Sequence, residues 1–254
     1  MRPASRVTAL LLAAALALPG LAACGGSGKK KGETLTVFAA SSLSEPFTTL
    51  GKEFEKAHPG VKVRFEFGPS SGLAQQISAG APGGVFASAS TGTMDPLVTS
   101  GDAKDPKSFA TNTMEIATPP ADPGHVASLK DLARPGVRLA VCQAQVPCGK
   151  TAAEVLTKAG LKVKPATEEV DVKSVLTKVV LGEVDAGMVY VTDVKAAGSK
   201  VRGVPIPAAQ NATTSYPIAV LSHAKHAKPA AEFVALVLSS AGSTVLRQAG
   251  FTGP

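Results

Sequence analysis

From residue 35 onward, short apolar runs rich in β-branched side chains alternate with stretches whose apolar positions recur every three or four residues. That alternation marks an α/β protein, in which strands are buried between layers of helix. Residues 35–39 read as a strand, 45–57 as an amphipathic helix stopped by Pro59-Gly60, and 61–67 as a second strand; 73–79 read as a helix and 85–89 as a third strand. A second set lies between Glu115 and about Thr213, with strands at 137–141 and 187–191 and helices at 151–159 and 172–181. The chain closes with a strand at 216–221 and helices at 229–239 and 243–249. Periodicity alone leaves one α/β domain or two lobes open.

The first residues follow a different pattern. Arg2 and Arg6 precede an apolar run from 9 to 18 that ends at Pro19-Gly20, which reads as a secretion signal over 1–23 and is too short to span a bilayer. Leu21-Ala22-Ala23-Cys24 resembles the lipobox of bacterial lipoproteins, so Cys24 is expected to be the lipidated N-terminus of the mature chain. Residues 25–32, GGSGKKKG, carry no apolar side chain and read, with Cys24, as a flexible tether that holds a soluble body at the membrane surface.

The formal net charge is +7, of which Arg2 and Arg6 leave with the signal. Binding to nucleic acid would call for clustered basic residues interleaved with aromatic rings, whereas this chain has no Trp, two Tyr and scattered lysines.

Several strand-to-helix junctions are rich in neutral donors: Ala39-Ala40-Ser41-Ser42, Gly68-Pro69-Ser70-Ser71-Gly72, Val146-Pro147-Cys148-Gly149, and the helix start at Val172. Helix N-termini offer unpaired N–H groups and partial positive charge, and in open α/β sheets such loops meet beyond the carboxyl ends of the strands. Singly, each serine is better explained as a helix cap or a turn residue, and a Tyr closing an apolar strand, as Tyr190 does, as a packing residue. Lys150 and Lys173 read as solvated lysines in the first turns of their helices.

Taken together, Val37-Phe38-Ala39-Ala40-Ser41-Ser42-Leu43, Ser70-Ser71-Gly72-Leu73-Ala74-Gln75-Gln76-Ile77, Ala79-Gly80-Ala81-Pro82, Val146-Pro147-Cys148-Gly149, Met188-Val189-Tyr190 and Tyr216-Pro217-Ile218-Ala219-Val220 resemble the periplasmic molybdate-binding proteins. The resemblance covers nearly the whole mature chain in order. It implies a type II periplasmic-binding-protein fold, with one lobe from 33–114 plus 214–254, a second from 115–213, and a ligand cleft between lobes joined by crossover strands. By the same resemblance, molybdate or tungstate would be held by the hydroxyls and N–H groups of Ser42 and Ser70, the N–H groups of Cys148 and Val172, and the hydroxyl of Tyr190. Molybdenum would enter only as that oxyanion, with no cofactor and no catalysis. The partners implied are an ABC permease and its ATPase, served by a monomeric, extracytoplasmic, lipid-anchored protein. Two positions depart from the family pattern: Gly84 and Ser90 stand where its members commonly carry Asp, next to what reads as the cleft-side end of a strand.

With Cys24 lipidated, Cys142 and Cys148 remain as an even pair, and in an oxidising compartment they suggest a disulfide that would fix the loop carrying Cys148. The rival reading is a lipid-anchored serine esterase of α/β type. Gly68-Pro69-Ser70-Ser71-Gly72 satisfies the G-x-S-x-G elbow, with Asp185 and His223 following in the order a triad would need. Against it, only one strand precedes the elbow, and no Gly-rich oxyanion loop comes before Ser70.

Overall fold

The computed structural model describes residues 32–254, which form one compact unit. The proposed signal, Cys24 and most of the tether lie outside the described residues.

Strand β1 (Glu33–Ala40) pairs in parallel with β2 (Val61–Gly68) on one side and β3 (Val85–Ala87) on the other, and β3 pairs antiparallel with β9 (Thr213–Leu221). Both faces of this sheet are covered, and the sequence shows why. Leu35, Val37 and Ala39 of β1 alternate with Phe38, sending apolar side chains to opposite sides. On one side lie α1 (Ser44–Ala57), α7 (Ala227–Leu238) and α8 (Ser240–Gln248), where Phe233 packs edge-on against Phe47 and Phe54 at 5.9 and 5.5 Å. On the other lie α2 (Ser70–Ser78) and α3 (Thr91–Thr99), which contribute Leu73, Ile77, Met94 and Leu97.

A second core gathers residues between Met114 and Ala212 around β5 (Leu139–Cys142), β6 (Thr167–Glu169), β7 (Ala186–Tyr190) and β8 (Arg202–Pro205). Helices α4 (Pro147–Lys158), α5 (Val172–Val180) and α6 (Val191–Ala197) complete it. The two lobes share β4 (Ala103–Thr118), which pairs with β9 as far as Thr113 and with β7 from Met114 onward. One strand therefore belongs to both sheets, and the order runs β2-β1-β3-β9-β4-β7-β5-β6 with β8 also on β4.

Several elements differ from the sequence reading. Helices α2 and α4 begin three and four residues earlier than expected, so Ser70 and Cys148 stand in first turns instead of in loops. The periodicity also missed α3, β4, β6, α6 and β8. In β4, Asp105 takes a φ of 46° before Pro106 and the register with β9 slips between Lys104 and Lys107, which breaks the alternation in the first half; in the second half burial alternates from Ala110 to Ile116, but the buried Asn112 hides it in the sequence. Among the described residues no single helix is long and apolar enough to cross a membrane.

Candidate functional site

The C-terminal ends of β1, β2 and β7 and the first turns of α2, α4 and α5 converge on one small pocket between the two cores. From the first lobe it is lined by Ala40, Ser41, Ser42, Gly68, Pro69, Ser70 and Ala89, and from the second by Val146, Pro147, Cys148, Asp171, Val172 and Tyr190. Ser42, Ser70, Cys148, Val172 and Tyr190, scattered over nearly 150 positions of sequence, thus meet at one place. The cavity they enclose, about 20 Å³, exceeds the roughly 10–15 Å³ that one water occupies. It takes a single small guest.

The wall presents donors. Ser70, Cys148 and Val172 fall in the first two positions of their helices, where backbone N–H groups have no intrahelical acceptor. Ser70 and Ser42 are 2% exposed, and neither caps its helix: Pro69 and Leu43 stand at the N-caps of α2 and α1, without side-chain caps. Ser70 Oγ accepts the Ala89 N–H at 3.0 Å, which leaves its proton free for the pocket. Ser42 Oγ lies 2.9 Å from the Tyr216 hydroxyl. Burial drives the Tyr216 phenol far above its usual range, so it keeps its proton and can donate to Ser42, whose own proton is then free.

Tyr190 is the most informative group. Its ring is 1% exposed, its hydroxyl oxygen is buried, and that oxygen has no hydrogen-bond partner. Burial also pushes this phenol well above its ordinary pKa against the pull of the neighbouring Thr151 hydroxyl, which itself donates to the Pro147 carbonyl, so the Tyr190 O–H stays protonated at the pocket.

The acidic residue on the wall, Asp171, was missed by sequence reasoning. Its carboxylate caps α5 by accepting the Ser174 N–H at 2.8 Å. A second carboxylate, Asp193, is wholly buried behind the pocket, where its Oδ2 accepts the Tyr190 N–H at 3.1 Å. Lys173 is not the solvated lysine expected: its Nζ reaches both Glu45, at 2.8 Å, and Asp193, at 3.2 Å. Lys150 is exposed, as expected.

Burial raises the Asp193 pKa from its ordinary 3.8 to about 6 against the downward pull of Lys173. Between those two values the folded protein holds a proton that the unfolded chain has released, so the stability this group contributes is complete below pH 3.8 and declines as pH rises to about 6. Urea unfolding of wild type and Asp193→Asn across that window should show the wild type losing stability relative to the variant as pH rises; parallel curves would refute the shift.

Cys142, at the end of β5, and Cys148, in the first turn of α4, are joined by a disulfide. The bond closes the loop that carries Val146 and Pro147 into the pocket wall. Gly149 lets α4 approach this loop: a Cβ there would stand 1.9 Å from the Gln143 carbonyl oxygen. Of the two family departures, Ser90 lies beside the pocket as expected and Gly84 does not. Gly84 lies at the start of β3, away from the pocket, where a Cβ would strike the Leu35 side chain at 2.5 Å. Ser90 is next to the pocket residue Ala89, and its hydroxyl pairs with Thr93 at 2.9 Å.

The esterase constellation does not assemble. Ser70 Oγ meets a backbone amide and no imidazole, and Asp185 is bound to Arg138 through the Arg138 N–H and a guanidinium nitrogen 2.7 Å away. His223 is exposed in a turn. Moreover, β2 is an edge strand, so the elbow sits at the margin of the sheet.

Residues 35–252 match the family model described as bacterial extracellular solute-binding protein. The chain belongs to that family. It is 41% identical over 252 residues to the molybdate-binding protein ModA of Mycobacterium tuberculosis H37Rv, covering 96% of this chain and 97% of the relative. To the Escherichia coli K12 molybdate-binding protein ModA it is 31% identical, over 86% of this chain and 88% of that one. Among solved structures, the periplasmic molybdate-binding protein of Azotobacter vinelandii matches with a TM-score of 0.77 at 24% identity, covering 87% of this chain and 99% of that chain. Its relatives are solute-binding proteins.

Proposed function

We propose that this chain is the extracytoplasmic substrate-binding component of an ABC importer and captures molybdate, with tungstate an equivalent guest. The observation that carries the reading is the unpartnered Tyr190 hydroxyl in a pocket that otherwise offers serine hydroxyls and helix-start amides. Molybdate at neutral pH has four acceptor oxygens, two charges and no proton, so a shell of donors suits it without any counter-ion. Its contacts are the hydroxyls and N–H groups of Ser42 and Ser70, the N–H groups of Cys148 and Val172, and the Tyr190 hydroxyl. Protonated phosphate would need an acceptor, and the carboxylate on the wall, Asp171, already gives one of its oxygens to the Ser174 N–H, so phosphate is the control that tests this discrimination. The Mycobacterium tuberculosis and Escherichia coli relatives, both molybdate-binding proteins, point to the same ligand.

The lobes divide as 33–114 plus 214–254 and 115–213. This division is supported by the hand-over of β4 from β9 to β7 between Thr113 and Met114 and by the start of β9 at Thr213. The anion bridges them and favours their closure. The protein acts as a monomer, anchored through a lipid on Cys24, and passes its ligand to a permease driven by an ATPase.

A thermal-shift panel with molybdate, tungstate, sulfate and phosphate tests this. A ligand at one hundred times its dissociation constant adds about 2.7 kcal/mol, so molybdate and tungstate should raise the melting temperature by several degrees. No shift with either would sink the reading. Ser42→Ala and Ser70→Ala should each weaken molybdate binding roughly tenfold, about 1.5 kcal/mol, by deleting a hydrogen bond to a charged partner; unchanged affinity in calorimetry would show that these serines do not touch the ligand.

A further inference from the structure

Lys173 joins two lobes without touching the pocket. Its Nζ lies 2.8 and 2.9 Å from the two carboxylate oxygens of Glu45 and 3.2 Å from Oδ1 of Asp193. Glu45 is in the first turn of α1, on the first core, whereas α5 and α6, which carry Lys173 and Asp193, pack on the second. Each member stands close in sequence to a proposed ligand group. Glu45 follows Ser42 by three positions, Lys173 follows Val172 directly, and Asp193 follows Tyr190 by three and accepts its N–H.

The two carboxylates are not equivalent. Asp193 is fully buried and lies in the same lobe as the lysine, so it is a permanent partner whose loss would strand a charge in the interior. Glu45 is 52% exposed and lies in the opposite lobe. It can be released into water at little cost, leaving Lys173 and Asp193 still paired. One lysine shared by two carboxylates is also already neutralised, so it is not a counter-ion for a guest in the pocket.

Resting on the reading of the pocket as a molybdate site that closes between lobes, we propose that Glu45, Lys173 and Asp193 form an interlobe clasp: Asp193 roots the lysine in the second lobe, and the lysine grips Glu45 of the first when the lobes meet. Residues that contact no ligand atom then set how long the anion is retained. The clasp forms as the cleft closes, so it acts on release more than on capture.

Calorimetry and stopped-flow release of molybdate from wild type, Glu45→Gln, Lys173→Gln and the double variant test the proposal. Glu45→Gln should weaken binding by about twofold to fivefold, the range of a solvent-accessible ion pair, almost wholly through faster release, with the melting temperature of the unliganded protein unchanged. In the Lys173→Gln background the same change should have no further effect. Wild-type affinity and release rate in Glu45→Gln would overturn the clasp. So would an equal loss of stability with and without molybdate, because a pair that never opens would behave in that way. Failure of the wild type itself to bind molybdate would overturn the ligand assignment on which the clasp rests, a result distinct from either.

Discussion

Replacing Tyr190 by Phe should weaken molybdate binding by about 3 kcal/mol, roughly 150-fold, while leaving the unliganded protein as stable as the wild type or more so. The two signs have one cause. With the lobes closed, the Tyr190 oxygen is buried and makes no hydrogen bond to the protein, so a closed form without an anion bears its desolvation without recompense. Phe fills the same space, 6.4 Å from the Tyr216 ring, and removes that penalty. In the liganded state the same oxygen gains an anionic acceptor in a site closed to water, where a charge-assisted bond counts most. Paired calorimetry and urea unfolding check both halves. A Tyr190→Phe protein that loses stability yet keeps its affinity would make the hydroxyl structural, and the proposed ligand shell would lose its strongest member.

Gly149→Ala should destabilise the fold by about 3 kcal/mol and reduce anion affinity by roughly tenfold or more. The added methyl would fall 1.9 Å from the Gln143 oxygen, 2.6 Å from the Gln143 carbonyl carbon and 2.8 Å from the Cys142 oxygen, all of them backbone atoms. That backbone has little room to retreat. The Cys142–Cys148 disulfide ties its two ends, and the Gln143 N–H is held by the Glu169 carbonyl at 2.8 Å. The first turn of α4 must therefore move, and with it Cys148, whose N–H is one of the proposed ligand donors. Near-normal stability and affinity in the variant would show a loop that yields, and the disulfide would then have no role in holding the amide in place.

The places where sequence reasoning succeeded and failed divide along the reach of the interactions involved. Alternation of Leu35, Val37 and Ala39 with Phe38 fixed a doubly buried strand, and the donor-rich junctions at Ser42, Ser70, Cys148 and Val172 were visible as residue types following strands. Family resemblance, not spacing, singled out Tyr190: on pattern it reads as a packing residue, and only its missing partner distinguishes it. The clasp was illegible. Nothing local links Glu45 to a lysine 128 positions away, so Lys173 looked like any first-turn lysine. Likewise β4 carries a bulge at Asp105-Pro106 and mostly polar residues around the buried Phe109 and Ala110 as far as Thr113, and it is a strand because β9 and β7 pair with it.

By itself, then, the sequence determined the α/β class, the order of most elements and the chemical character of the binding groups, because side-chain period and helix-start chemistry act over a few residues. Tertiary structure alone decided which donors are free. Ser70 keeps a proton free for the pocket because Ala89 occupies its oxygen, Ser42 can do the same when Tyr216 donates to it, and the Tyr190 hydroxyl oxygen is left without a hydrogen bond. Hydrogen-bond satisfaction depends on every group within about 3 Å, and those groups come from parts of the chain that only folding brings together.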